Sequence, residues 1–293
     1  MIQNFDFKNI LVIGLGMIGG SLLYGLQSRR FKGTVYGLDT DSEVMKSAHN
    51  LNLINNAIDE IPTNLNEVLV IFAVPTLSIN SAMAEVLSKF EFKNVLYTDT
   101  CSVKSSVLEA IQDTNQNILN NFILSHPIAG SEKSGLSASS ESLYDKRLAI
   151  ICPHEGNKEE DIKKIENLWE GLGSITKRLP ASVHDDLFAK TSHLPHIISY
   201  ALMDTVFNDL KEDSFLHSGG SLEDYTRIAS SDPVMWKDIM IANKSSVLEA
   251  IDNFSLSLDK ISSLIKEGNP DKLVNFFSSI KTSRDMLLPE KNK

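Results

Sequence analysis

The sequence predicts a doubly wound α/β sheet followed by an all-α helical domain. Three observations predict it. Short, continuously apolar runs such as Ile10–Ile13 and Val68–Val74 alternate with helix-period segments through the first 179 residues. Continuous runs suit strands buried on both faces, and strand–helix alternation builds a parallel sheet covered by helices. After Leu179-Pro180 the spacing changes: apolar residues recur at threes and fours, and no convincing strand appears beyond it.

In order, strands are expected at Asn9–Gly14, Thr34–Asp39, Val68–Val74, Asn94–Asp99, Asn121–Ser125, Leu148–Cys152 and Ser174–Lys177. Helices are expected at Ile18–Arg30, Ser42–Asn50, Ser78–Phe90, Val103–Asp113 and Lys158–Leu172. Beyond Pro180, the residues Leu187, Leu194, Ile197, Ile198, Ala201, Leu202 and Val206 share a helical period, as do Met235–Ile251 and Leu256–Ile265. The reading is therefore two domains, residues 1–179 for the sheet and 180–293 for the helices. A helical domain with this much apolar surface suits a subunit interface, so a homodimer through it is expected.

The first loop makes the sheet a Rossmann-type dinucleotide-binding domain. Gly14-Leu15-Gly16-Met17-Ile18-Gly19 is G-x-G-x-x-G, placed after a strand and opening a helix. Gly14 permits the tight turn, Gly16 lets the backbone approach a pyrophosphate, and Gly19 lets helix and strand pack closely. The helix N-terminus offers N–H groups and positive dipole to phosphate, with Met17 and Ile18 in its first turn. Asp39, ending the second strand, stands at the distance where a carboxylate accepts from ribose hydroxyls and repels a 2′-phosphate. That favours NAD over NADP. A glycine turn without a nucleotide is the plainer alternative.

Charge narrows the partners. The chain carries 28 basic and 38 acidic residues, a formal net charge of −10, which argues against nucleic acid and anionic membrane surfaces. An anionic substrate then needs local cations. Two cysteines, Cys101 and Cys152, make no disulfide framework and fit a reducing cytoplasm. The N-terminal residues lack the apolar core of a signal peptide, and no run is long enough to span a membrane.

Three segments carry candidate chemistry. His126 and Pro127 close the apolar run Phe122–Leu124, and a loop of glycines and small polar residues comes next. A histidine there is either a general base or a loop histidine that satisfies a carbonyl. Ser131, Glu132 and Ser134 would wall the pocket beside it. Ser102, in Asp99-Thr100-Cys101-Ser102-Val103-Lys104, follows a strand at the edge where such sheets bind ligands; it is either a ligand contact or a helix N-cap. In the helical part, His193 and His196 lie three apart around Pro195, which is expected to kink the helix. No third ligand has fitting spacing, and H-E-x-x-H and C-x-x-C are absent, so no metal is expected. Arg227 follows the Ser218-Gly219-Gly220 turn; it is either a carboxylate clamp or an ion-pair arginine. His49, His154, His184 and His217 read as surface residues.

Together these segments resemble the prephenate dehydrogenase family, arogenate-using relatives included. The resemblance runs from Lys8 to Ile241 and rests on six segments in order: Gly14–Ser21, Asp99–Lys104, His126–Gly135, Ser192–His196, Asp224–Ala229 and Ser231–Trp236. It implies a Rossmann domain, a helical dimerisation domain, and NAD-dependent oxidative decarboxylation of prephenate to 4-hydroxyphenylpyruvate in tyrosine biosynthesis. It implies that His126 takes the ring C4 hydroxyl proton and that Ser102 hydrogen-bonds that hydroxyl and the histidine. Arg227 would hold a substrate carboxylate, His196 would line the pocket, and His193 is a weaker match for a role there. Ser221 and Leu222 stand where many members carry a glycine and an aromatic, which bears on substrate preference. The rival readings are an arogenate dehydrogenase, a β-hydroxyacid dehydrogenase, whose expected lysine base is missing from Ser192–His196, and a non-catalytic NAD-sensing dimer.

Overall fold

The computed structural model describes residues 5–56, 61–130, 133–209 and 219–287. Ser131, Glu132 and His217 lie outside them. The first half alternates as expected: β1 (Asn9–Ile13), α1 (Met17–Ser28), β2 (Thr34–Leu38), α2 (Ser42–Asn50), β3 (Asn64–Phe72), α3 (Ile79–Lys89), β4 (Glu91–Asp99), α4 (Lys104–Thr114), β5 (Phe122–Pro127), β6 (Leu148–Cys152), α5 (Glu159–Gly171) and β7 (Ile175–Arg178). From there on the described residues form helices alone: α6 (Ala181–Phe188), α7 (Leu194–Asp209), α8 (Gly220–Thr226), α9 (Pro233–Ala242), α10 (Lys244–Glu267) and α11 (Pro270–Leu287).

The strands form one sheet in the order β2-β1-β3-β4-β5-β6-β7. Successive side chains of β1 point to opposite faces, as pleating requires. Ile10 and Val12 join a cluster with Leu22 and Leu26 of α1, whereas Leu11 and Ile13 join Met83 of α3 and Val107 of α4. Ile10, Leu11 and Val12 are fully buried. Both faces are covered, and that is why this strand reads as an unbroken apolar run.

Strands β1 to β5 are parallel, but β6 runs antiparallel to β5, and β7 parallel to β6. A parallel neighbour needs a crossover, usually a helix. The described part of the β5–β6 connection contains only a short 3₁₀ turn, Leu136–Ala138, so β6 returns alongside β5. The connection therefore stays at the carboxyl edge of β5. There Ser139 crowds α1: a Cβ on Gly20 would lie 2.3 Å from its Oγ.

Pro195 lies inside an unbroken helical run, residues 181–209. The chain forms a π-turn, Ala189–His193, directly before α7, and Pro195 sits in the first turn of α7. A proline has no N–H to donate, and a π-turn directly before it is where the run departs from regular α-helical bonding.

By packing, the chain divides into two compact units, one through Ser246 and one from Val247. Helices α6 to α9 thus belong with the sheet in the first unit, although their apolar spacing is like that of α10. The second unit contains most of α10 and all of α11.

Candidate active site

The glycine loop is shaped by close approach. Gly14 has φ +88°, and a Cβ there would meet the Ala73 carbonyl oxygen at 2.4 Å, so the turn tolerates only glycine. A Cβ on Gly19 would lie 1.9 Å from the Gly14 oxygen; this is the helix–strand contact. A Cβ on Gly16 would meet nothing within 4 Å, and as N-cap of α1 it offers no side chain to the first-turn N–H groups. An open backbone at an uncapped helix N-terminus fits a pyrophosphate. Asp39 is tied to this loop: its Oδ2 accepts from Leu15 N at 2.7 Å and its Oδ1 from Asp41 N at 2.9 Å. Met17 and Ile18 are half-buried in the first turn, and the Ile18 carbonyl accepts from Tyr144 Oη at 2.6 Å. This donor set fits a dinucleotide with free ribose hydroxyls. The loop after β5 comes to the same place, since a Cβ on Gly130 would lie 3.9 Å from Met17 Cε.

His126 stands near the end of β5, half-buried. Its Nδ1 lies 2.9 Å from Nε2 of His184, and the Phe188 ring packs 5.1 Å away, centroid to centroid. His184 Nδ1 in turn lies 2.8 Å from Asp185 Oδ1. The Asp185 carboxylate also accepts from the backbone N–H groups of Lys104 and Ser105, at 2.8 Å each, and so caps α4. Burial pushes that carboxyl up, but the hydrogen bonds from His184, Lys104 and Ser105 outweigh it and hold it below the usual range. Burial first, then neighbouring His184 and Lys104, hold His126 well below the ordinary histidine range. Burial also lowers His184, against the pull of Asp185. Both rings are neutral near pH 7.

The surface reading of His184 is thus corrected: it is fully buried. The signal was faint but present. His184 and Asp185 stand four residues before Phe188 and Ala189, on one face of α6, while Val183 and Leu187 are exposed. His49 is exposed as expected, whereas His154 is half-buried and lies 2.8 Å from the Leu119 carbonyl.

Ser102 does not cap α4; Val103 holds the N-cap position and the Asp185 side chain does the capping. Nor is a hydrogen bond between Ser102 and His126 present; His126 is bonded to His184 instead. Beneath them lies a buried ion pair that the sequence reading missed. Lys104 Nζ donates to Asp99 Oδ2 and, at 2.6 Å, to the Ser125 carbonyl. Asp99 accepts further from Cys101 N and Ser125 N. Both side chains are fully buried. This cluster joins the ends of β4 and β5 to the start of α4.

The remaining candidates lie between the π-turn and α9. His196 stacks on Trp236 with ring centroids 3.5 Å apart, and its Nδ1 is buried without a partner. His193 is buried, 6.1 Å from the same indole and 3.3 Å, Nδ1 to Nδ2, from Asn243. Burial lowers both histidines to about 4. Arg227, in a 3₁₀ turn after α8, is exposed and makes no ion pair among the described residues. Among them too, no group of histidines, cysteines and carboxylates could hold a metal.

Two family models cover most of the chain: the prephenate dehydrogenase nucleotide-binding domain matches residues 24–177, and the prephenate dehydrogenase dimerization domain matches residues 180–279. The chain belongs to the prephenate dehydrogenase family. It is an oxidoreductase with that family's nucleotide-binding and dimerization parts. It is 35% identical to the cyclohexadienyl dehydrogenase of Zymomonas mobilis subsp. mobilis over 286 residues, 95% of each chain. It is 27% identical to the prephenate dehydrogenase of Bacillus subtilis, across 95% of this chain and 76% of that one. In structure it resembles the prephenate dehydrogenase of Aquifex aeolicus, solved in complex with hydroxyphenyl propionate and NAD+. The TM-score is 0.85 and the identity 30%, over 96% of this chain and 98% of that one. No described helix is long and apolar enough to cross a membrane.

Proposed function

We propose that this family member catalyses the NAD-dependent oxidative decarboxylation of prephenate to 4-hydroxyphenylpyruvate. One observation carries the reading most: a half-buried histidine held neutral near pH 7 stands near the carboxyl end of β5, and the loop after it reaches Met17 of the glycine cradle. NAD, held by Gly14, Gly16, Met17, Ile18, Gly19 and Asp39, supplies the hydride acceptor. His126 takes the C4 hydroxyl proton as that carbon loses hydride and becomes a carbonyl. The ring carboxylate then departs as carbon dioxide, its bonding electrons complete the aromatic ring, and the new phenolic oxygen takes up a proton. Ser102, beside His126 in the order of the sheet, is assigned to the same hydroxyl. Arg227 and His196 are assigned to the substrate's carboxylate side, with His193 behind them. Without an ion-pair partner among the described residues, Arg227 is available for an anion on a surface of net negative charge.

A second reading is favoured by the resemblance to a cyclohexadienyl dehydrogenase. Arogenate carries the same ring and differs only in an amine at the side-chain ketone, far from the reacting C4. We further propose a homodimer in the cytoplasm. Val234 and Ile241 of α9 are exposed apolar groups, as are Leu256, Leu258 and Ile265 of α10 and Phe277 and Ile280 of α11. Such surfaces favour burial against another copy. The buried free thiols of Cys101 and Cys152 suit a reducing compartment.

The deciding experiment follows reduced-cofactor absorbance with prephenate or arogenate, each offered with NAD and NADP. Turnover with prephenate and NAD is the expected result. Turnover with arogenate alone replaces the substrate, and none in any pair leaves an NAD-sensing dimer. Asp39→Ser should weaken NAD and narrow its advantage over NADP; unchanged discrimination removes Asp39 from the ribose. Arg227→Ala should raise KM about 10- to 100-fold, the worth of a charge-assisted hydrogen bond. An unchanged KM moves the carboxylate site elsewhere.

A further inference from the structure

We propose that His184 and Asp185 are positioning residues that set the tautomer of His126, placing its proton on Nδ1 and leaving Nε2 as the base. This deepens the reading above and rests on it. The assignment comes from donors and acceptors alone. Asp185 receives two backbone N–H groups at the N-terminus of α4, one on each oxygen. Those groups only donate, so both oxygens accept, and the helix end favours the ionised carboxylate. An ionised carboxylate only accepts, so His184 Nδ1, at 2.8 Å from Oδ1, must carry a proton. A neutral ring protonated on Nδ1 has its lone pair on Nε2. His126 Nδ1 faces that lone pair at 2.9 Å and must itself donate. The remaining nitrogen of His126, Nε2, then holds a lone pair.

The reverse arrangement is unfavourable. It would set a lone pair of His184 Nδ1 against a carboxylate oxygen at hydrogen-bond distance. Burial, which keeps both rings neutral, reinforces the assignment. When His126 accepts a proton on Nε2, its Nδ1–H bond to His184 is already made, so nothing reorients, and the new positive charge faces Asp185 through one ring. The dyad is itself held in place. Asn243 Nδ2 donates to the Asp185 carbonyl at 2.8 Å, and the Phe188 ring lies against both imidazoles, 5.1 and 4.5 Å between centroids. Because Asp185 also caps α4, one carboxylate orders both the base and the turn that precedes α4.

The test reads tautomers directly, by long-range ¹H–¹⁵N imidazole correlation on the whole ¹⁵N-labelled chain, without substrate. His126→Asn identifies the signals. The expected result is His126 protonated on Nδ1. In Asp185→Ala His184 Nδ1 loses its acceptor, the proton of that ring passes to Nε2, the usual site in a neutral imidazole, and His126 Nδ1, now facing a donor, accepts, so His126 becomes protonated on Nε2. A wild-type ring protonated on Nε2, or an unchanged tautomer in folded D185A, overturns the proposal. Kinetics supply the second arm. D185A and His184→Leu should each lower kcat by about 10²-fold or more, with KM and NAD affinity unchanged. His184→Gln, whose Oε1 accepts from Nδ1–H, should recover at least about tenfold of the H184L loss. Losses in H184Q equal to those in H184L overturn the proposal even if D185A does not fold. Should the wild-type chain turn over none of the four substrate–cofactor pairs, the functional reading fails, while the tautomer measurement still decides this one.

Discussion

His126→Asn is expected to lower kcat by about 10²-fold or more while leaving NAD affinity unchanged. Asparagine keeps a polar group near the position of Nδ1 and so retains a partner for His184, but it has nothing at the position of Nε2. The loss should therefore fall on the proton transfer and not on the fold. Steady-state kinetics and NAD titration check it together, and near-normal turnover would remove His126 from the reaction. The pH profile offers an internal control. Burial and the neighbouring His184 and Lys104 hold the His126 ring well below the ordinary histidine value. The active form is the neutral one, so activity is full above that lowered value and lost as pH falls through it. The acid limb of kcat/KM should accordingly lie below about pH 6.5, the value for a free histidine. A limb at or above it would mean that a different group titrates.

Lys104→Met is expected to cost about 3–5 kcal/mol of stability, the largest single loss that the structure points to. Lys104 and Asp99 are both fully buried, and the ammonium also holds the Ser125 carbonyl. Removing it leaves an uncompensated carboxylate in the core, where burial already pushes Asp99 up against the opposing pull of Lys104. Removing the charge as well, in the Lys104→Met, Asp99→Asn double variant, should recover more than half of the loss. The amide oxygen still accepts from the backbone while no charge is stranded. Urea unfolding monitored by tryptophan fluorescence reads this locally, because Trp169 Nε1 donates to Ser125 Oγ at 3.1 Å. A loss under about 1 kcal/mol would mean that the pair is no more than an exposed ion pair in effect.

The legible parts of the site share one property: their constraint is local. A G-x-G-x-x-G loop must follow a strand and open a helix, and each glycine has a reason within a few residues or on the adjacent strand. Asp39 needed only its place at the end of the next strand. His126 could be singled out because an apolar run ends beside it. The alternation of apolar runs likewise marked all seven strands. The beginning of β3 was missed because Asn64, Asn66 and Glu67 are polar and leave Leu65 as a single apolar residue outside the continuous run.

The features that were not legible depend on residues far apart in the chain. The reversed direction of β6 reflects the lack of a helical crossover, which no strand pattern records. Ser102 looked like a helix cap, yet the cap comes from Asp185, more than eighty residues later. His184 carries no motif, and its character changes only when α6 packs against the ends of β5 and α4. By itself, then, the sequence determined the α/β-then-α order, the glycine cradle and the histidine at a strand end, because periodicity and backbone sterics act over short distances. Only the tertiary structure decided which groups that histidine faces, which carboxylate caps α4, and where Lys104 finds its counter-charge. Hydrogen-bond partners and burial are properties of contacts between distant segments, and chain spacing does not encode them.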